Sequence, residues 1–220
     1  MDQRPALLHA RFGFVLLLQF GLLLWLVAFD HARDTRGLLD LTGVIIPLFA
    51  IAVVTDRKRD RRVAVALAGA AIVFSGGALS GVRPAGGDAG PLLAVLFSAY
   101  ATWKMLIGIV RSQRVTGNVL AGALATYIMA GLAFAVVYGV IASRRPDAFV
   151  TAAATPASFP DLVYFSFVTL LTIGFGDVTP AVPGARAVAL VEGLFGVVFT
   201  TVVMASLVAG YVRHRESNAP

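Results

Sequence analysis

The residues with the most specific chemistry form one short run, Thr172-Ile173-Gly174-Phe175-Gly176-Asp177. What the run offers is mainly backbone chemistry. A cation stripped of water needs replacement oxygens, and backbone carbonyls can supply them. That demands an extended strand whose carbonyls all turn to one side. Alternate residues must then adopt conformations that bulky L-residues resist and glycine accepts. Gly174 and Gly176, one residue apart, meet the demand. Thr172 adds a hydroxyl below the last carbonyl, and Ile173 and Phe175 are expected to pack outward and hold the strand open. Other chemistries find little support. There is no cysteine, which excludes disulfides and thiolate metal sites. His9, His31 and His214 are scattered near the ends of apolar stretches. No acid–base or metal cluster emerges, so an enzyme is disfavoured and no cofactor is expected.

The elements that must position this run are set by lipid. Of the 220 residues, 58% are hydrophobic even without counting the 22 glycines, and mean hydropathy is +0.84. Soluble domains reach about 45–50% apolar with glycine included. A net charge of +6 could suggest nucleic acid, but in a membrane chain a basic excess belongs to cytoplasmic loops; no nucleic-acid partner is expected. A spanning helix needs about 20 mostly apolar residues. Six stretches qualify: Phe12–Phe29, Leu38–Val54, Val63–Val82, Pro91–Val110, Val119–Ala142 and Ala187–Val212. The first exceeds a secretory signal in length and lacks a small-residue cleavage site at Asp30-His31, so it reads as a retained helix.

Loop arginines and lysines give the orientation. With the N-terminus inside, eleven basic residues lie inside and six outside. Both termini are therefore expected in the cytoplasm of a multi-pass cell-membrane protein. The Ser143–Arg186 connection then faces outward. It opens with a polar, small-residue stretch to Ser158, expected to be an exposed turret. Pro160 and Asp161 signal a helix start, and Leu162–Leu171 is too short to span, as in a re-entrant half-helix. Non-helical backbone at membrane depth survives only against protein or a water-filled path. The pattern describes a pore, with the half-helix aiming the negative end of its dipole at the cation.

The run from Tyr164 to Pro180, with Thr172–Asp177 at its centre, resembles the pore loop of the potassium channel superfamily. The resemblance covers roughly Val119 to Val212 and implies a bacterial-type, six-helix, one-pore-loop subunit. It implies an all-α membrane fold, with a re-entrant pore helix and selectivity filter between the fifth and sixth helices. Residues 1–115 would form a four-helix sensor-like scaffold, 116–213 the pore domain and 214–220 a short tail. Potassium would bind at Thr172, Ile173, Gly174 and Phe175, with Gly176 completing the filter. One filter per chain supplies a quarter of a ring, so three identical partner subunits are implied. Two departures stand out. The common family form has tyrosine at Phe175; without that hydroxyl, and with Tyr164 and Phe165 as the aromatic cuff, the filter is expected to be selective but less rigid. Val168 stands where some bacterial relatives carry a carboxylate, so that route to filter inactivation is expected to be absent.

Several residues are expected to support the filter or gate it. Asp177, Tyr164, Phe165, Thr169 and Glu192 form the supporting set. Glu192, the one carboxylate deep inside an expected span (Asp40 lies near the edge of another), is a functional candidate by position. It is expected behind the pore helix as a brace, bonded to Thr169, Ser166 or a neighbouring subunit. Counting from Asp177, the resemblance places a hinge glycine at Gly196, with Gly193 one turn earlier; close packing is the competing reason for either. The same count puts Val197, Thr200, Met204 and Val208 on the cavity face, as gate candidates or plain packing residues.

The first four stretches lack a strong voltage sensor, which needs about 3–4 gating charges per subunit. Pro91–Val110 holds Lys104 alone, and Arg111 and Arg114 fall at its cytoplasmic end. The cluster Arg57, Lys58, Arg59, Arg61 and Arg62 suits anionic lipid headgroups or simply sets topology. A potassium-selective channel without strong voltage dependence is the leading reading. A weakly selective cation channel is one alternative. A subunit of a potassium-uptake transporter is the other, although such proteins carry four filter-like loops in one chain.

Overall fold

The computed structural model describes residues 89–110 and 117–216, with helical fragments at 16–17, 19–25, 62 and 65–66. Apart from those fragments, the first three expected spans lie outside the described residues. So do Arg57, Lys58, Arg59, Arg61, Arg111 and Arg114, whereas Arg62 is helical and exposed.

In chain order the elements are α1 (Ala89–Val110), α2 (Gly117–Arg144), β1 (Phe149–Thr151), α3 (Phe159–Leu170), β2 (Val178–Pro180), α4 (Pro183–Val198) and α5 (Ala205–Glu216). A π-helical segment, Phe199–Met204, joins α4 to α5. Among the described residues, two helical runs are long and apolar enough to cross a bilayer, Val119–Arg144 and Pro183–Val212. Val95–Ile107 and Phe159–Leu170 are shorter apolar helices. The fourth expected span thus coincides with α1, of which a 13-residue core passes as apolar helix.

Local sequence explains the boundaries. Pro146 disfavours helical backbone at Arg145, and α2 stops at Arg144, whose charge suits the negative end of the helix. α3 starts on a reciprocal cap. The Asp161 carboxylate accepts the Ser158 N–H at 2.7 Å, and Ser158 Oγ accepts the Asp161 N–H at 3.4 Å. Pro160 in the first turn lacks only an N–H that would be orphaned anyway. The half-helix therefore begins three residues before Leu162.

Three larger apolar clusters hold the helices, and a fourth, smaller one joins Met105 of α1 to Ala125 of α2. Phe97 and Ala101 of α1 meet Met129, Leu132 and Val136 of α2 and Phe159 and Val163 of α3. Tyr138, Phe149, Leu162, Phe165, Val178 and Ala185 form a second cluster at the turret end. Ile109, Ala123, Phe199 and Leu207 form a third at the opposite end. Most of the expected turret, Ser143–Ser158, is exposed, and the second cluster anchors it at one point. Ala148 and Phe149 are buried, and β1 pairs antiparallel with β2, Val150 opposite Thr179. The Ala152 N–H also bonds the Asp177 carbonyl at 2.7 Å. The chain beyond Gly176 is thus clipped to the 143–158 connection, because the apolar pair Ala148-Phe149 has a core to enter.

Candidate functional site

The site is the end of α3 and the strand beyond it. The last four carbonyls of a helix lack intrahelical partners, and here all four are taken. Phe167 O accepts the Leu171 N–H at 2.9 Å, Val168 O the Ile173 N–H at 2.9 Å and Thr169 O the Thr172 N–H at 3.0 Å. The Tyr127 hydroxyl donates to Leu170 O at 2.7 Å. The 173-to-168 and 172-to-169 pair is a Schellman ending, whose first residue past the cap takes the left-handed conformation. That residue is Thr172, with φ of 57°. Glycine is usual there; a β-branched residue in this region is strained.

Gly174 and Gly176 come next in the series with φ of 64° and 77°, while Ile173 and Phe175 keep negative φ. Backbone handedness therefore alternates residue by residue from 172 to 176. The expectation named the two glycines; it missed that Thr172 begins the series. Among the described residues, no carbonyl from Thr172 to Gly176 accepts a hydrogen bond, and all five residues are exposed in the single chain. The side chains of Ile173 and Phe175 are 47% and 68% exposed, so any packing that holds the strand open lies beyond this chain.

Of the expected supports, Phe165 and Glu192 are buried, whereas Tyr164, Thr169 and Asp177 are partly buried. Gly196 is pressed against Leu170: a Cβ there would meet Leu170 O at 2.3 Å. Close packing, rather than freedom to bend, is what this position requires. Gly193 is different, since its added Cβ would touch only Thr169 Cγ2 at 4.0 Å. The Asp177 side chain accepts the Val178 N–H at 3.1 Å, and the Tyr164 phenol faces the same carboxylate. Phe165 does not share that cuff. It is buried edge-on against Tyr138 and Phe149, with ring centroids 5.2 and 5.6 Å away. Neighbouring helical residues point about 100° apart, so Tyr164 and Phe165 cannot both face the 172–176 strand. Val168 is buried at the same helix end.

Glu192 lies behind α3, wholly buried. Its Oε1 is 2.5 Å from Ser166 Oγ and its Oε2 is 2.5 Å from the Tyr138 hydroxyl. Of the expected partners Ser166 is found and Thr169 is not. Tyr138 and Tyr127 escaped the sequence reading. The signal available was a tyrosine within an apolar span, whose hydroxyl must find a partner when buried.

On the last helix, Val197, Thr200 and Val208 are exposed in the single chain. Met204 differs from them in being partly buried, against the cluster of Ile109, Ala123, Phe199 and Leu207, and it ends the π-helical segment. The Thr200 hydroxyl bonds Gly196 O at 2.9 Å, and the Thr201 hydroxyl bonds Val197 O. On α1, Lys104 Nζ sits 5.6 Å from the Tyr100 ring centroid.

Known proteins bear on this site. Residues 125–212 match the family model described as "Ion channel", a stretch shorter than half the chain. A protein of Oryza sativa subsp. japonica, "Two pore potassium channel c", is 32% identical over 83 residues, 38% of this chain. The aligned stretch spans only 18% of that relative. No solved structure matches the chain. The two matches support an ion channel of the potassium channel superfamily, and with the apolar helices they support a membrane protein. They indicate a protein that is not an enzyme.

Proposed function

We propose that four copies of this chain form a potassium-selective pore, with residues 172–176 of each lining a shared axis. The observation that carries this reading is the run of unpaired carbonyls on a strand of alternating handedness. Alternation lets successive carbonyls face one side, where they replace the water of a dehydrated ion. The C-terminal end of α3 stands directly before the strand, and its dipole favours a cation there.

Assembly into a ring is supported by what the chain leaves uncovered. Only 17% of the most apolar window of Pro183–Val212 is buried within the chain, and Leu190, Val191 and Leu194 are more than 60% exposed. Three further subunits would cover part of that surface around a closed rotational axis. The pore lies in the cell membrane with both termini cytoplasmic. It conducts passively, without strong voltage dependence, because Lys104 alone charges α1. The basic cluster around Arg62 rests on anionic lipid.

Purified protein in liposomes tests the reading. Potassium efflux blocked by barium, with sodium flux far smaller, is the expected result. Equal sodium flux would leave a weakly selective cation channel instead. Uptake coupled to another solute, without passive flux, would replace the channel by a transporter subunit. Cross-linking in the bilayer that stops at dimers would remove the shared axis.

A further inference from the structure

The contacts around Glu192 hold more oxygen pairs than hydrogens can join if its carboxyl is ionised. Ser166 Oγ lies 2.5 Å from Glu192 Oε1 and 2.7 Å from the carbonyl oxygen of Gly131 in α2. The Tyr138 hydroxyl lies 2.5 Å from Oε2. Serine and tyrosine hydroxyls carry one hydrogen each, and carbonyl and carboxylate oxygens carry none. Two hydrogens cannot serve three contacts. With an ionised Glu192, one short pair of oxygens would face each other bare, since the single Ser166 hydrogen cannot lie along both of its lines.

One more hydrogen completes the set. We propose that Glu192 is carried as the neutral acid, with its proton on Oε1 and donated to Ser166 Oγ. Ser166 then donates to Gly131 O, and Tyr138 donates to the carbonyl oxygen Oε2. Every contact is satisfied, and the polarity runs one way from Tyr138 through Glu192 and Ser166 to Gly131. The surroundings agree. Glu192 is fully buried, where an ionised carboxylate without a paired charge is expensive. Its hydrogen-bond partners are both hydroxyls, and it has no ion pair among the described residues. The titratable groups facing it are the phenols of Tyr138 and Tyr127, both from α2. α3 faces it with the Ser166 hydroxyl alone.

Glu192 is on this account a positioning residue. The acid joins α4 to α3, and Ser166 and Tyr138 join both to α2, directly behind the helix that ends at Leu170. The inference is independent of ion selectivity, because it depends only on the packing of one chain.

The chain has two glutamates, Glu192 and Glu216, which allows a direct test. The full chain with Glu216→Gln, made by cell-free synthesis with carboxyl-13C glutamate, is placed in liposomes at neutral pH. Infrared spectra should show an isotope-shifted carbonyl band of a carboxylic acid. Isotope-shifted carboxylate stretches without that acid band would overturn the proposal. If Glu216→Gln spoils folding, the unsubstituted labelled chain serves, with one acid band and one carboxylate signal expected. Two carboxylate signals and no acid band would overturn it. Tyr138→Phe removes the donor to Oε2 and should move the acid band to higher frequency; an unmoved band would refute the assigned direction of the bonds.

Discussion

Replacing Gly196 with alanine places a methyl group where the backbone leaves no space. The new Cβ would lie 2.3 Å from Leu170 O and 3.1 Å from the Leu170 carbonyl carbon, against a practical minimum near 3.0 Å. Both atoms are backbone, so no rotamer change relieves the clash; α4 or the end of α3 must move. Overpacking of this kind costs about 1–3 kcal/mol, and a backbone obstacle favours the upper part. Alanine recovers up to about 1 kcal/mol of helix propensity. The net expectation is a loss of about 1–2 kcal/mol. Gly193→Ala is the internal control, because its Cβ reaches only Thr169 Cγ2 at 4.0 Å. It should gain up to about 1 kcal/mol by the same propensity difference. Reversible denaturation in mixed micelles measures both, and the pair should differ by about 2–3 kcal/mol. Potassium flux from liposomes should fall for Gly196→Ala only, since the displaced carbonyl is two residues from Thr172. Equal stabilities for the two variants would refute the close-packing account and restore a hinge at Gly196.

Other positions make separate demands. Tyr127→Phe removes the donor to Leu170 O and should cost about 0.5–1.5 kcal/mol, with faster hydrogen exchange at the amides of 171–173. Thr172→Gly relieves a left-handed penalty of about 1–2 kcal/mol and returns up to about 1 kcal/mol in chain entropy. Stability should therefore change little while the extra protection given by potassium drops; thermal melting with and without the ion checks both. Ser158→Ala breaks the reciprocal cap of α3 and should cost about 0.5–2 kcal/mol, read as a lowered denaturation midpoint with β1 and β2 still paired.

The order of elements around the site could be read from residue types. Pro160 and Asp161 announced α3, and the paired glycines announced a strand with unusual backbone. These are local effects, settled by sterics within a few residues. The two long runs Val119–Ala142 and Ala187–Val212 were equally plain, since an apolar stretch of that length has few other solvents. The turret was rightly expected to be exposed for most of its length, but its anchor was not legible: Ala148 and Phe149 are two apolar residues in a polar stretch, and their core is built from Tyr138, Leu162 and Val178.

What only the tertiary structure decided is which atoms meet. That Gly196 yields space to Leu170, that Met204 packs against the cluster of Phe199 and Leu207, and that Glu192 meets Tyr138 instead of Thr169 all depend on helix rotation and crossing. A single π-helical turn is enough to re-aim every side chain beyond it, and no periodicity in the chain marks where that turn falls. Composition and local sterics determined that there is a strand of available carbonyls behind a capped half-helix. The contacts that hold it join residues 26 to 54 positions apart, and such contacts are set by packing, to which no short window of sequence has access.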